Sequence, residues 1–144
     1  MSESGAPTGT DFNGKIIAEF RANSGKVGGP FAGSDILLLH HTGARTGAQR
    51  VNPLAFLRVG ESFAIFASKA GGPANPDWYH NLLAHPRATV EVGTDTIAVT
   101  ARVAQPTERD TIYARQKERS PAFARYEERA APRKIPVVVL DPVK

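Results

Sequence analysis

The chain contains no cysteine, which excludes disulfides, iron–sulfur clusters, thiolate zinc sites and cysteine nucleophiles together. No apolar run comes near the roughly 18 residues that a membrane-crossing helix requires. The first 13 residues are polar and lack the apolar central region of a secretory signal, so a cytoplasmic location is expected. There is no Walker A loop, no G-x-G-x-x-G after a strand and no G-x-S-x-G nucleophile elbow. Of the four histidines, His80 and His85 lie five apart and do not share a helical face, so no metal site is expected. Aromatic residues make up only 8% of the chain and do not interleave with its basic turns, so it lacks the stacking platforms of single-strand nucleic-acid binders.

What is present is a basic chain of 144 residues with a net charge of +4 and a sequence pI near 9.7. That length suits one domain able to bury roughly two-thirds of its unfolded surface. The charge favours an anionic partner, and by itself does not choose between nucleic acid, a membrane face and a phosphorylated small molecule.

Residues 1–11 have the Ser, Gly, Pro and Thr content of a flexible tail, leaving 12–144 as a single domain. Phe12, Ile16, Ile17 and Phe20 recur at helical spacing and predict a short amphipathic helix. Its stripe suits packing across the mouth of a barrel, and its basic face leaves peripheral membrane contact open. Gly25, Gly28, Gly29 and Pro30 end it. Six strand-like segments follow, at 35–41, 49–59, 62–69, 88–93, 96–105 and 135–141. The short turns at Gly60-Glu61 and Gly93-Thr94-Asp95 argue for antiparallel hairpins. The predicted class is therefore α+β, mainly β, with about six antiparallel strands and peripheral short helices. One helix is predicted after Asn75 as N-cap and Pro76 as first residue, ending before Pro86. A second begins at Thr107 with Asp110 three residues on, and a third restarts at Ser120-Pro121. Ile112, Tyr113, Phe123 and Tyr126 are their inward positions.

The stretch with the most chemical content is LHHTGARTGAQRVNPL, residues 39–54. Gly43 and Gly47 bracket Ala44, Arg45 and Thr46, and Arg50 opens the next strand. Glycines at this spacing let backbone N–H groups and two arginines converge on one anion, and the same pattern also suits an ordinary solvated hairpin loop. Ser68 and Lys69, at a predicted strand end before Gly71-Gly72, offer a third cation to the same anion or a charged cap on an edge strand. Trp78 and Asn81 share a helical face, as a ligand wall or as a core anchor.

Taken in order, LLLHHTGARTGAQRVNPL, FASKAGGPANPDWYHNL and HPRATVEV resemble the deazaflavin-dependent nitroreductase family of actinobacteria, over residues 16–140. The resemblance implies a split β-barrel of the flavin-binding type. It also implies hydride transfer from reduced coenzyme F-420, a low-potential deazaflavin, to a quinone, nitroaromatic or other unsaturated acceptor. By the same resemblance Ala44, Arg45, Thr46, Arg50 and Lys69 hold the coenzyme's phosphate and acidic tail. Val51, Asn52, Pro53, Leu54 and Ala55 border its ring together with Phe66, Ala67 and Ser68, and Asp77, Trp78, Tyr79, His80 and Asn81 close the site. Phe123 and Tyr126 lie over the acceptor, with Ser68 and Tyr126 as candidates to polarise or protonate it. Two departures stand out: Ala44-Arg45 replaces a basic pair found in many relatives, and Tyr126 is the clearest pocket tyrosine where some nitroreducing members carry several.

Two other readings compete. One keeps the barrel and binds FMN, as in pyridoxamine-phosphate-oxidase-like proteins, because ring size and phosphate are shared. The other is a small basic nucleic-acid-binding barrel, which the sparse aromatics disfavour. Exposed barrel faces make a homodimer plausible.

Overall fold

The computed structural model describes residues 8–26 and 35–143, excepting the side chains of 8–13. Helix α1 (Thr8–Ala22) is followed by β1 (Ile36–Thr42), β2 (Gln49–Val59) and β3 (Ser62–Phe66). Next come a 3-10 turn (Lys69–Gly71), α2 (Asp77–Ala84), β4 (Arg87–Val92) and β5 (Asp95–Val103), then α3 (Pro106–Arg119), α4 (Ala122–Ala130) and β6 (Val137–Pro142). The strands close into a barrel in the order β1-β2-β3-β6-β5-β4, with every pairing antiparallel. Closure removes the exposed strand edges that an open sheet of this size would carry.

The barrel is apolar on both faces of its central strands. In β3, Phe63 and Ile65, followed by Ala67, fill the interior with Leu37, Leu39, Phe56, Val90 and Val99. Ala64 and Phe66 point outward, into a second cluster with Ile112, Tyr113 and Phe123 from α3 and α4. Strand β6 repeats the division: Val138 and Leu140 belong to the interior, Val137 and Val139 to the outer cluster. A strand buried on both faces reads as a continuous apolar run, which is why residues 137–140 mark a central strand. Each large side chain taken out of water contributes roughly 1.5–3 kcal/mol before conformational entropy is counted against it.

Strand β1 explains the place of α1. Ile36 and Leu38 face outward and are covered by Phe20, with Ile17, Val51 and Ala55 around them. The predicted stripe is thus spent on the outer wall of β1 and β2 rather than across the barrel mouth. Arg21 bonds Glu91 of β4 and ties the helix to the barrel, where His40 of β1 bonds the same carboxylate. At the end of α1, a Cβ on Gly25 would lie 2.7 Å from the Gly93 Cα, so the helix terminus seats directly on the β4–β5 turn.

Several boundaries differ from expectation. Helix α1 begins at Thr8, four residues before Phe12; residues 1–7, the rest of the expected tail, and Gly28, Gly29 and Pro30 lie outside the described residues. Strand β3 ends at Phe66, so Lys69 occupies the 3-10 turn instead of a strand end. Pro76, not Asn75, caps α2, because Asn75 turns its side chain to Arg133. Helix α3 starts at Pro106 after Gln105, and Asp110, expected to pair with Thr107, pairs instead with Arg109 and Lys134. No helix among the described residues is long and apolar enough to cross a membrane.

Candidate functional site

Two recesses open on either side of the start of α2. The first, about 460 Å³, lies between the outer wall of the barrel and α4. Pro53, Leu54 and Ala55 from β2, Phe66 from β3, and Ser68 and Lys69 after it form its floor. Pro76 and Trp78 close one end, and Ser120, Phe123 and Tyr126 form the opposite wall. The aromatic wall is a run of edge-to-face contacts, with Phe66 and Phe123 centroids 5.3 Å apart and Phe123 and Tyr126 5.1 Å apart. Behind it the Tyr113 hydroxyl donates to the Phe123 carbonyl at 2.8 Å. Burial pushes that hydroxyl's pKa up to about 12, so it stays protonated and keeps donating. The recess is mainly apolar, with hydroxyls of Ser68, Ser120 and Tyr126 available around it.

The second recess, about 440 Å³, is lined by Gly43, Ala44, Arg45, Thr46, Arg50, Asp77, His80 and Asn81. The basic turn is closed on itself: the Gly43 N–H donates to the Ala48 carbonyl at 2.8 Å and the Gly47 N–H to the Gly43 carbonyl at 2.9 Å. Gly47 has φ +72°, a left-handed conformation that glycine adopts without strain. The Ala44 N–H donates to the Asn81 side chain at 2.9 Å and the Ala48 N–H to the Thr46 hydroxyl at 3.2 Å. Among the described residues the Arg45 and Thr46 N–H groups have no internal acceptor. Two open amides beside two exposed arginines fit a phosphate or carboxylate.

Beneath this turn lies a buried polar chain. His41 is 2% exposed and Asn81 7%. The His41 Nε2 lies 2.7 Å from Asn52 Oδ1, and its Nδ1 lies 3.1 Å from Asn81 Nδ2. An amide oxygen only accepts and an amide nitrogen only donates, so Nε2 carries the proton and Nδ1 is the acceptor. The imidazole is therefore neutral, and burial holds its pKa below the ordinary 6.5 despite the Asn52 bond. A histidine with a lowered folded pKa contributes stability that is complete above about 6.5 and is lost as pH falls toward the folded value. Melting curves should show stability falling as pH drops below about 6.5 in the parent, with the slope reduced in His41→Gln; equal slopes would show that His41 is not the group titrating.

The structure sorts the sequence candidates. Ala44, Arg45, Thr46, Arg50, Asp77, His80 and Asn81 meet in the second recess, and Pro53, Leu54, Ala55, Phe66, Ser68, Lys69, Trp78, Phe123 and Tyr126 in the first. Lys69 and the two arginines thus line different recesses and do not converge on one point. Four candidates line neither recess. Val51 packs toward α1, Asn52 holds His41, and Ala67 is sealed in the core. Tyr79 borders a small apolar hollow with Leu82, Leu83 and Val103. Trp78 serves both readings, since it belongs to the interior cluster and also ends the first recess. Sequence reasoning passed over Arg133, whose guanidinium holds the segment after β3. It also passed over His41 as a buried polar centre, although the alternation of Leu37, Leu39 and His41 on β1 places it inward.

The closed six-stranded antiparallel barrel is a split barrel of the kind found in F420-dependent reductases. Residues 14–142 match the sequence model of the F420H(2)-dependent quinone reductases, and the chain belongs to that family. An F420H(2)-dependent quinone reductase of Mycobacterium tuberculosis is 40% identical over 129 residues, covering 85% of each chain. A solved F420-H2 dependent reductase, FDR-A, superposes with a TM-score of 0.68 at 34% identity, over 74% of this chain and 93% of that one. A solved domain-swapped dimer gives 0.69 at 30% identity, over 93% and 100%. HutZ, a heme storage protein of Vibrio cholerae, gives 0.57 at 16% identity over 92% and 91%, which shows the barrel alone and leaves the cofactor to the site. The protein is thus an oxidoreductase that draws hydride from reduced coenzyme F-420 for a small-molecule acceptor.

Proposed function

We propose that the two recesses are one site, with the coenzyme lying across the start of α2 and a quinone as its acceptor. The observation that carries this reading is the position of residues 76–78: Asp77 lines the basic recess, while Pro76 and Trp78 line the aromatic one. Arg45, Arg50 and the Arg45 and Thr46 amides would hold the phosphate and acidic tail. Pro53, Leu54, Ala55, Phe66 and Ser68 would border the ring, with Phe123 and Tyr126 over the acceptor. When bound, the deazaflavin supplies the hydride.

The chain's own residues supply orientation, water exclusion and hydrogen bonds. Phe66, Phe123 and Tyr126 offer ring faces and edges against which a planar acceptor can pack, so that the reacting atoms are held in contact. Ser68 and Tyr126 would donate to an acceptor carbonyl as negative charge builds on its oxygen, with the proton coming from a hydroxyl or from water. In steady-state assays with a naphthoquinone, Phe123→Ala should raise the quinone KM about tenfold and Tyr126→Phe should lower kcat by a similar factor, roughly 1.4 kcal/mol each. Unchanged constants in both variants would remove the aromatic recess from the account.

Arg21, Arg102, Lys117, Arg119 and Lys134 are engaged in ion pairs, whereas among the described residues Arg45 and Arg50 are not, which supports the basic turn as the place where a small anion is held. Membrane contact through α1 would not use Ile16 or Phe20, which are buried. The relative solved as a domain-swapped dimer makes a homodimer the assembly to test by light scattering, where a monomer mass at micromolar concentration would overturn it.

A further inference from the structure

The segment joining β3 to α2 contains two consecutive non-glycine residues in the left-handed region, Lys69 at φ +48° and Ala70 at φ +53°. Conformations of this kind persist only where their surroundings over-determine them, and they concentrate at functional sites. Here the turn closes on itself, with the Gly71 N–H donating to the Ser68 carbonyl at 2.8 Å and the Gly72 N–H to the Lys69 carbonyl at 2.9 Å, and one side chain grips the residues on either side of the left-handed pair. Arg133 donates to the Ala67 carbonyl at 3.1 Å, the Ser68 carbonyl at 3.0 Å and the Gly72 carbonyl at 2.8 and 3.1 Å, and also to the Asn75 side chain. A guanidinium has five N–H donors, and all five are committed to this single segment. Arg129 adds a bond to the Ala70 carbonyl at 3.1 Å from the facing turn of α4.

We propose that Arg133 is a positioning residue for hydride transfer, a fork that fixes residues 67–75 so that Ser68 and Lys69 stand in the wall of the aromatic recess. The inference rests on the reading that this recess receives the ring and the acceptor. It adds a determinant that touches neither. Ser68 and Lys69 line the recess directly, whereas Arg133 reaches it only through their backbone. Gln and Met have no planar fork, and Lys offers one point charge in its place, so none of them can bond Ala67, Ser68, Gly72 and Asn75 together. With the fork lost, the left-handed pair relaxes toward extended or right-handed backbone and carries the Ser68 hydroxyl away from the acceptor. A displacement of about 1 Å in a positioning group costs up to roughly a hundredfold in rate.

The test compares Arg133→Lys and Arg133→Met with Arg102→Met, which removes an arginine bonded to Glu108 and Asp141 and not to this segment or to either recess. Far-UV circular dichroism and melting curves first establish the temperature at which each variant is folded. At that temperature kcat/KM for a naphthoquinone with reduced coenzyme F-420 should fall roughly ten- to a hundredfold in the Arg133 variants. In Arg102→Met it should stay within about twofold of the parent, whatever its melting temperature. Trypsin provides a readout that does not depend on activity: the bond after Lys69 should resist cleavage in the parent and be cut in the Arg133 variants, as mass spectrometry of the fragments would show. Arg133→Lys keeps the experiment decisive if the Met variant fails to fold. Parent-like kcat/KM together with a protected Lys69 in Arg133→Lys would overturn the inference, and so would equal losses in Arg133→Lys and Arg102→Met. If instead the parent protein itself oxidises reduced coenzyme F-420 normally while Phe123→Ala and Tyr126→Phe leave its constants unchanged, it is the underlying reading of the recess that fails.

Discussion

Replacing Arg45 and Arg50 together with alanine is expected to weaken coenzyme F-420 binding by on the order of a hundredfold while leaving the melting temperature unchanged. A fully formed charge-assisted hydrogen bond contributes roughly 1.5–3 kcal/mol. Both side chains are exposed, which places each nearer the lower end, and about 1.4 kcal/mol corresponds to a tenfold change. Neither arginine takes part in an ion pair among the described residues, so truncation removes no intramolecular partner. The contribution should also be screened, with the dissociation constant of the parent rising with salt and that of the double variant nearly flat. Fluorescence titration at two ionic strengths measures both effects. Parent-like affinity and salt dependence in the double variant would place the anion elsewhere on the surface.

The second large effect is on stability. Gly71 has φ +83°, and a Cβ there would lie 2.8 Å from the Arg129 Cβ and 3.0 Å from the Tyr126 carbonyl oxygen. These are a neighbour's first side-chain atom and a backbone atom, so the clash is relieved only by moving α4. Gly71→Val therefore combines left-handed strain of about 1–2 kcal/mol with displacement of a packed helix, for a loss of about 3 kcal/mol or more. In a chain of this size that lowers the melting temperature by roughly 10 °C. Gly47→Ala supplies the comparison, because Gly47 has φ +72° with nothing within 4 Å of its Cβ and bears the conformational cost alone, about 1 kcal/mol. Since α4 carries Phe123 and Tyr126, Gly71→Val should also raise the quinone KM, and Gly47→Ala should not. Equal melting temperatures in the two variants would mean that α4 yields without cost.

The barrel was legible in the sequence because its signals are local. Alternation in residues 62–66, the glycine turns at 60 and 93, and the continuous apolar run at 137–140 each report the strand they belong to. The basic turn was legible for the same reason, since Gly43, Arg45, Gly47 and Arg50 fall within eight residues. The clamp on the segment after β3 was not. Arg133 lies 58 to 66 residues from the groups it holds, and nothing in its own neighbourhood distinguishes it from the exposed arginines of α3 and α4. Lys69 misled for a related reason: the apolar alternation runs on through Ala67, while the chain leaves the ladder after Phe66 to take up its left-handed turn. Asn75 carried the composition of an N-cap and was taken instead by the same arginine. Such long-range side-chain to backbone bonds leave no periodicity to read.

The central claim is that one coenzyme spans both recesses, and a crystal structure of the protein with coenzyme F-420 tests it most directly. The account predicts electron density for the phosphate against Arg45, Thr46 and Arg50, and for the planar ring over residues 53–55 facing Phe66 and Ser68, with the connecting atoms crossing at Asp77. A ring lodged inside the barrel or on the Tyr79 face, or a phosphate held by Lys69 with the basic turn left bare, would contradict it.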